Sequence, residues 1–125
     1  MTKKDLSTRS DVEVLVDSFY EKIRVNEKLG VIFNDIAKVD WKKHLPKMYS
    51  FWASILLGEH SYSGRPMVTH IDLSKKTSMD ESLFNEWLTL FHQTVDEHFV
   101  GPTAEIAKTR AVNIARNMLY KIHSA

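Results

Sequence analysis

The chain has 125 residues, a formal net charge of +1 and no cysteine. A chain of this length builds one hydrophobic core rather than two. The small charge excludes the electrostatic footprint of a nucleic-acid or membrane-surface binder, and no apolar run reaches the roughly 18 residues of a membrane span. We expect no secretory signal in the polar N-terminus and, without cysteine, no disulfides or thiolate sites. We expect one cytoplasmic domain over residues 10–125, preceded by a frayed polar tail over residues 1–9.

The sequence predicts an all-α protein, because it has only four glycines and three prolines and no stretch alternates apolar and polar residues as a strand would. Ser10 and Glu13 are spaced as a capping box for a first helix over about residues 11–26. Tyr20 lies near the inner face of that helix. The apolar stripe on this face is Val12, Leu15, Val16, Phe19 and Ile23.

A second helix is predicted between two clear boundary signals. Asp40 is a suitable N-cap, and Gly58 is placed to end the helix in a left-handed conformation. Pro46 removes an amide and crowds the preceding turn, so we expect a late start or a kink near residues 42–45. The wide apolar face of this helix contains Trp41, His44, Leu45, Met48, Phe51, Trp52, Ile55 and Leu56.

Residues 58–77 are punctuated by glycine, proline and serine, which predicts a long functional loop, and His70 lies in it. Ser78 and Glu81 are spaced as a capping box for a third helix that ends near Phe99. Pro102 suits the first position of a last helix. The inner face of the third helix contains Leu83, Phe84, Trp87, Leu88, Phe91 and Val95.

These inner faces are unusually aromatic, which leaves two interpretations open. An aromatic stripe is most often plain core, and a single histidine on an apolar face is more often structural than a ligand. Taken together, however, the aromatic faces and the histidines His44 and His70 favour a slot for a flat apolar cofactor with an imidazole ligand for iron. Tyr20 and Trp87 carry polar groups that need a partner when buried. No common hydrolase, metalloprotease, P-loop or dinucleotide-binding motif is present.

Several segments resemble one known family. They are FYEKIR at 19–24, LGVIF at 29–33, WKKHL at 41–45, FWASILLG at 51–58, YSGRPMVTHIDL at 62–73 and EWLTLFHQTVDEHF at 86–99. Over about residues 11–120 the chain is similar to the truncated haemoglobins of the third group. The resemblance implies a truncated globin fold, a helical sandwich of two antiparallel helix pairs around haem b.

The resemblance also implies roles for individual residues. His70 would be the proximal iron ligand, while Tyr20, His44 and Trp87 would lie on the distal side that binds O2, NO or CO. Phe33, Met48, Trp52 and Phe91 would form the wall of the haem pocket. Pro46 departs from the family pattern, so two interpretations of His44 stay open. It is either a third donor to the gas ligand or a gate that swings.

Three functional hypotheses follow. The first is a haem protein, expected to be a monomer, that uses O2 in nitric oxide dioxygenation or a peroxidase-like reaction with the help of a reductase. The second is an O2-binding or sensing globin without turnover. The third, from a different class, is a cofactor-free helical interaction module.

Overall fold

The structure is a computed structural model that describes residues 3–32, 40–58 and 81–124, with side chains as far as residue 117. Within these ranges the chain forms four helices and no strand, which confirms the all-α prediction. The helices are α1 (Arg9–Val25), α2 (Trp41–Leu57), α3 (Glu81–His98) and α4 (Pro102–Ser124). None of the helices in the described part of the chain has the length and apolar character that a membrane span requires.

The core lies where α1 packs against α2 and α3, while α4 packs against α3 and α2. The predicted stripe of α1 is confirmed, since its five members are all at most 1% exposed. On α4, Ala104, Ala107 and Ala111 are equally buried. Because alanine has a short side chain, α4 can approach its neighbours closely, and the larger aromatic side chains of α1, α2 and α3 fill the rest of the core.

The capping box of α1 is formed by Thr8 and Asp11, not by Ser10 and Glu13 as the sequence predicted. The Thr8 hydroxyl accepts from the Asp11 amide at 3.2 Å, and the Asp11 carboxylate accepts from the Thr8 amide at 3.1 Å. Both pairs have the required spacing. The earlier pair is used because Asp11 also accepts from Lys4 Nζ at 2.9 Å, a tertiary contact that the local pattern does not reveal.

Replacing Asp11 with a neutral residue is expected to make the unfolding free energy less sensitive to low pH. Burial alone would raise the pKa of Asp11, but hydrogen bonds from Lys4, Ser7 and Thr8 outweigh it and lower that pKa from 3.8 to about 2. A depressed pKa stabilises the fold above pH 3.8, and this stabilisation is lost as the pH falls towards 2. Asp11→Asn should therefore lower the unfolding free energy by about 2 kcal/mol at pH 7.

Urea unfolding of Asp11→Asn and of the unchanged protein at pH 7 and pH 3 checks this expectation. The difference between the two proteins should shrink at the lower pH. A difference that stays constant with pH would contradict the assignment of the effect to the Asp11 carboxylate.

The N-terminal segment is not frayed over its described part, residues 3–8, which corrects the expectation for the tail. The Asp5 carboxylate accepts from the amides of Thr103 and Ala104 at 2.9 and 2.8 Å and so caps α4. These amides lower the pKa of Asp5 although burial opposes them. Leu6 is only 2% exposed. Gly101 keeps this cap accessible, because a Cβ there would lie 2.5 Å from Asp5 Cγ.

Both predicted boundaries of α2 are confirmed. The Asp40 side chain accepts from the Lys42 amide at 3.1 Å, as an N-cap should. Gly58 has φ 75° and ψ 16°, the left-handed conformation that glycine adopts without steric cost. The positions of the polar cap and of the glycine therefore define the helix that carries His44.

Pro46 lies inside α2, and the predicted late start is wrong. The amides of Lys43 and His44 donate to the Asp40 carbonyl at 3.0 and 2.8 Å, so the first turn is already formed before the proline. Pro46 has no amide to donate to the Lys42 carbonyl one turn back. Both Pro46 and Lys42 are exposed, so water can satisfy that carbonyl.

Gly30 allows the chain to turn back on the end of α1. Its amide donates to the Asn26 carbonyl at 2.8 Å, and a Cβ at this position would lie 2.6 Å from the Arg24 carbonyl oxygen.

Gly30→Ala should therefore lower the unfolding free energy by about 1–3 kcal/mol, because backbone must move to admit the methyl group. Urea unfolding measures the loss. Val31→Ala, at a half-exposed neighbour, is the control and should change stability by less than about 0.5 kcal/mol. An unchanged midpoint for Gly30→Ala would show that the turn is loose.

Candidate functional site

Tyr20 and His44 come together at the interface of α1 and α2. Their ring centroids are 5.2 Å apart and the rings are perpendicular. Tyr20 is 6% exposed, and the Nε2 atom of His44 is buried. The structure thus places two of the sequence-predicted distal residues in direct contact, with the imidazole Nε2 shielded from solvent.

Trp41 and Arg24 complete this group of rings. The Trp41 ring lies 5.5 Å from Tyr20 and 5.7 Å from His44, so the three rings contact one another in every pairing. The Arg24 guanidinium carbon lies 4.6 Å from the Trp41 ring centroid. Arg24 follows Tyr20 by one turn on α1, and Trp41 precedes His44 by one turn on α2. We call these four residues the Tyr20 cluster.

Trp87 lies in a second group of rings, on the other side of Phe19. Its ring contacts Phe19 edge-on at 5.4 Å and stacks on Phe91 at 5.7 Å. Phe91 in turn stacks on Trp52 at 4.8 Å. Phe19 also contacts Tyr20 at 5.0 Å. Phe19 therefore joins the two groups, because its ring contacts both Tyr20 and Trp87.

The predicted pocket residues differ in how much surface they leave uncovered. Trp52 and Phe91 are 2% and 1% exposed, so the protein covers them almost completely. Met48 and Trp87 are only partly buried. Further partly buried apolar side chains pack on the same core, including Phe51, Ile55, Leu56 and Leu57 on α2 and Leu83, Leu88 and Leu90 on α3. The buried rings of Trp52 and Phe91 therefore belong to a core against which apolar side chains pack that are still partly exposed.

Two predicted site residues, Phe33 and His70, lie outside the described residues. No functional role was predicted from the sequence for Arg24 or Phe19, and Trp41 was predicted only as part of an apolar face. A helical spacing does place Arg24 one turn from Tyr20 and Trp41 one turn from His44. That spacing could have suggested their neighbourhood, but the contact between the two helices is a tertiary feature.

Comparison with known proteins decides the family. The family model described as bacterial-like globin matches residues 5–121 of the chain. The chain belongs to this family. The globin is 34% identical to the group 3 truncated haemoglobin ctb of Campylobacter jejuni, over 95% of this chain and 96% of that protein. The crystal structure of the group III truncated haemoglobin from Campylobacter jejuni superposes with a TM-score of 0.84 at 31% identity, covering 97% of this chain and 95% of that one.

The globin therefore has the truncated globin fold of group III, as the sequence resemblance implied. Membership of the family makes it a haem-binding protein with a diatomic gas as its ligand. The cofactor-free helical module is set aside by the same finding. The described residues fit a haem, because a flat apolar macrocycle needs partly uncovered apolar side chains such as Met48 and Trp87. A bound gas also needs polar groups inside the protein, and the Nε2 atom of His44 is a buried polar atom.

Proposed function

We propose that the globin binds haem b with His70 as the proximal iron ligand, and that Tyr20, His44 and Trp87 act on the distal side. The contact between Tyr20 and His44, with the imidazole Nε2 buried, carries this proposal. Phe33, Met48, Trp52 and Phe91 contribute the pocket wall. In this assignment the partly buried Met48 side chain contacts the haem directly. Trp52 and Phe91 act mainly through stacking, because Trp52 stacks on Phe91 and Phe91 stacks on Trp87.

When bound, the haem supplies an iron that holds a diatomic gas and exchanges electrons. The chain supplies hydrogen-bond donors for that gas. The Tyr20 phenol can donate a hydrogen bond, and the Trp87 indole N–H can only donate. The buried position of Tyr20 limits contact with water there, which strengthens polar contacts of its phenol. Tyr20 and Trp87 therefore favour a polar ligand such as O2 over the less polar CO.

The strength of these donors favours O2 chemistry over O2 transport. A hydrogen bond to a charged partner is worth about 1.5–3 kcal/mol. Two of them slow O2 release by roughly two to four decades, at about 1.4 kcal/mol per decade. A carrier must release its gas, whereas a protein that reacts O2 with a second substrate gains from retaining it.

We infer nitric oxide dioxygenation or a peroxidase-like reaction as the activity. In the first, NO, O2 and one electron give nitrate, so a reductase must deliver the electron after each cycle. This activity is consistent with a cytoplasmic monomer that meets a soluble reductant. The second candidate is an O2-binding or sensing globin without turnover, which retains the same donors but has no reductant.

Two measurements test this proposal. Stopped-flow release of O2 should be slow, by roughly two decades or more relative to a pocket without donors. Addition of NO under a continuous supply of reductant should then give nitrate over many cycles. Slow release with a single cycle only would favour the sensing globin, and fast release would contradict the role of the donors.

A further inference from the structure

We propose that Trp41, braced by Arg24, is a positioning residue that holds His44 against Tyr20 and so sets how far the imidazole obstructs access of gas to the distal side. This inference rests on the proposed function, because it needs His44 to lie on the distal side. It assigns a task to two side chains that bind neither the cofactor nor the ligand in that proposal.

His44, Trp41 and Tyr20 form a closed arrangement of rings. His44 has perpendicular ring contacts to Tyr20 at 5.2 Å and to Trp41 at 5.7 Å. Trp41 also contacts Tyr20 at 5.5 Å. Perpendicular and tilted ring contacts at these distances are attractive beyond simple burial. An imidazole held by two rings cannot turn outward without losing at least one of these contacts.

Trp41 is itself held in place by Arg24. The Arg24 guanidinium carbon lies 4.6 Å from its ring centroid, a cation–π distance. Arg24 is in the last turn of α1, where a positive charge is also favourable with the helix dipole. Trp41 is thus fixed from α1 on one side, while its neighbour one turn along α2 is His44.

Helix α2 does not need a tryptophan at its first position. Trp41 is the first residue of α2, and Asp40 already caps the helix. Trp41 is only half-buried, so it contributes less to the core than the sealed aromatics do. The large Trp41 ring contacts both the Arg24 cation and His44. Its presence at the end of the helix is better explained by its effect on the orientation of His44.

The test compares Trp41→Leu with the matched control Trp41→Phe in the haem-loaded protein. Trp41→Leu removes the ring and should speed CO rebinding after flash photolysis by about tenfold, which corresponds to about 1.4 kcal/mol. Trp41→Phe keeps an aromatic ring and should stay within about threefold of the unchanged protein. Arg24→Met, at an exposed position, should also speed rebinding. Arg24→Lys keeps the cation and should restore most of the original rate.

A second readout follows His44 itself and does not depend on gas binding. Exchange of the imidazole C2 proton with deuterium, followed by mass spectrometry, reports how accessible the ring is to solvent. Exchange at His44 should be several-fold faster in Trp41→Leu than in Trp41→Phe, because a released ring turns outward. Equal exchange in the two variants would overturn the proposal.

The background His44→Ala separates positioning from general damage to the pocket. If Trp41 acts through His44, Trp41→Leu should leave the CO rate unchanged in that background. An equal acceleration in both backgrounds, or none in either, overturns the inference. Failure of the proposed function looks different, because O2 release from the unchanged protein would then be fast, and the proton-exchange result would still decide whether Trp41 holds His44.

Discussion

Tyr20→Phe is expected to speed O2 release by about one to two decades, because it removes a hydrogen bond worth about 1.5–3 kcal/mol. The substitution keeps the ring and hence the contacts to Phe19, Trp41 and His44 at 5.0, 5.5 and 5.2 Å. The change therefore isolates the phenol from the packing of the ring. Stopped-flow displacement of O2 by CO measures the rate.

A second tyrosine provides the control for Tyr20→Phe. The Tyr49 phenol donates to the Asp17 carboxylate on the outer side of the same two helices. Burial and the Asp17 contact raise the pKa of Tyr49 to about 12, so this phenol stays protonated across the working pH range. Tyr49→Phe should leave O2 release unchanged. Equal rates for Tyr20→Phe and the unchanged protein would remove Tyr20 from the distal side.

Phe19→Ala is expected to lower the unfolding free energy by about 3–5 kcal/mol, a large fraction of the stability of a small domain. Phe19 is 1% exposed and contacts the rings of Tyr20, Trp87 and Phe91 at 5.0, 5.4 and 5.2 Å. Its removal leaves a cavity at the point where the two groups of rings meet. Urea unfolding monitored by circular dichroism measures the loss.

The control for Phe19→Ala is Val14→Ala on the same helix. Val14 is 45% exposed, so its truncation should cost less than about 0.5 kcal/mol. Phe19→Leu should lie between the two, since leucine fills part of the space. A loss below about 1 kcal/mol for Phe19→Ala would show that the surrounding rings close the gap, and Phe19 would not be the link between them.

The features that the sequence predicted well are local ones. The Asp40 cap, the left-handed Gly58 and the buried stripe of α1 each depend on a few neighbouring residues, and the structure has all of them. The capping box of α1 was misplaced by two residues, because two pairs with the same spacing overlap and a contact from Lys4 stabilises the earlier one.

The features that the sequence could not predict are contacts between distant segments. Asp5 caps α4 across 98 residues of chain, so no local pattern reveals that the polar tail is held in place. The direction of the His44 ring is a second example. Periodicity placed His44 on an apolar face, and Pro46 predicted a disturbed first turn of α2. The ring contacts of His44 to Tyr20 and Trp41 arise only when α1 and α2 pack together.

The ultraviolet–visible spectrum of the ferrous protein, with and without CO, tests the central claim most directly. It should be recorded for the unchanged protein, for His70→Ala and for His98→Ala, whose histidine is exposed at the end of α3. We predict a Soret band that shifts with CO in the unchanged protein and in His98→Ala, and loss of the histidine-ligated signature in His70→Ala. A Soret band absent even after reconstitution with haem, or an identical spectrum for His70→Ala, would contradict the account of a haem globin ligated through His70.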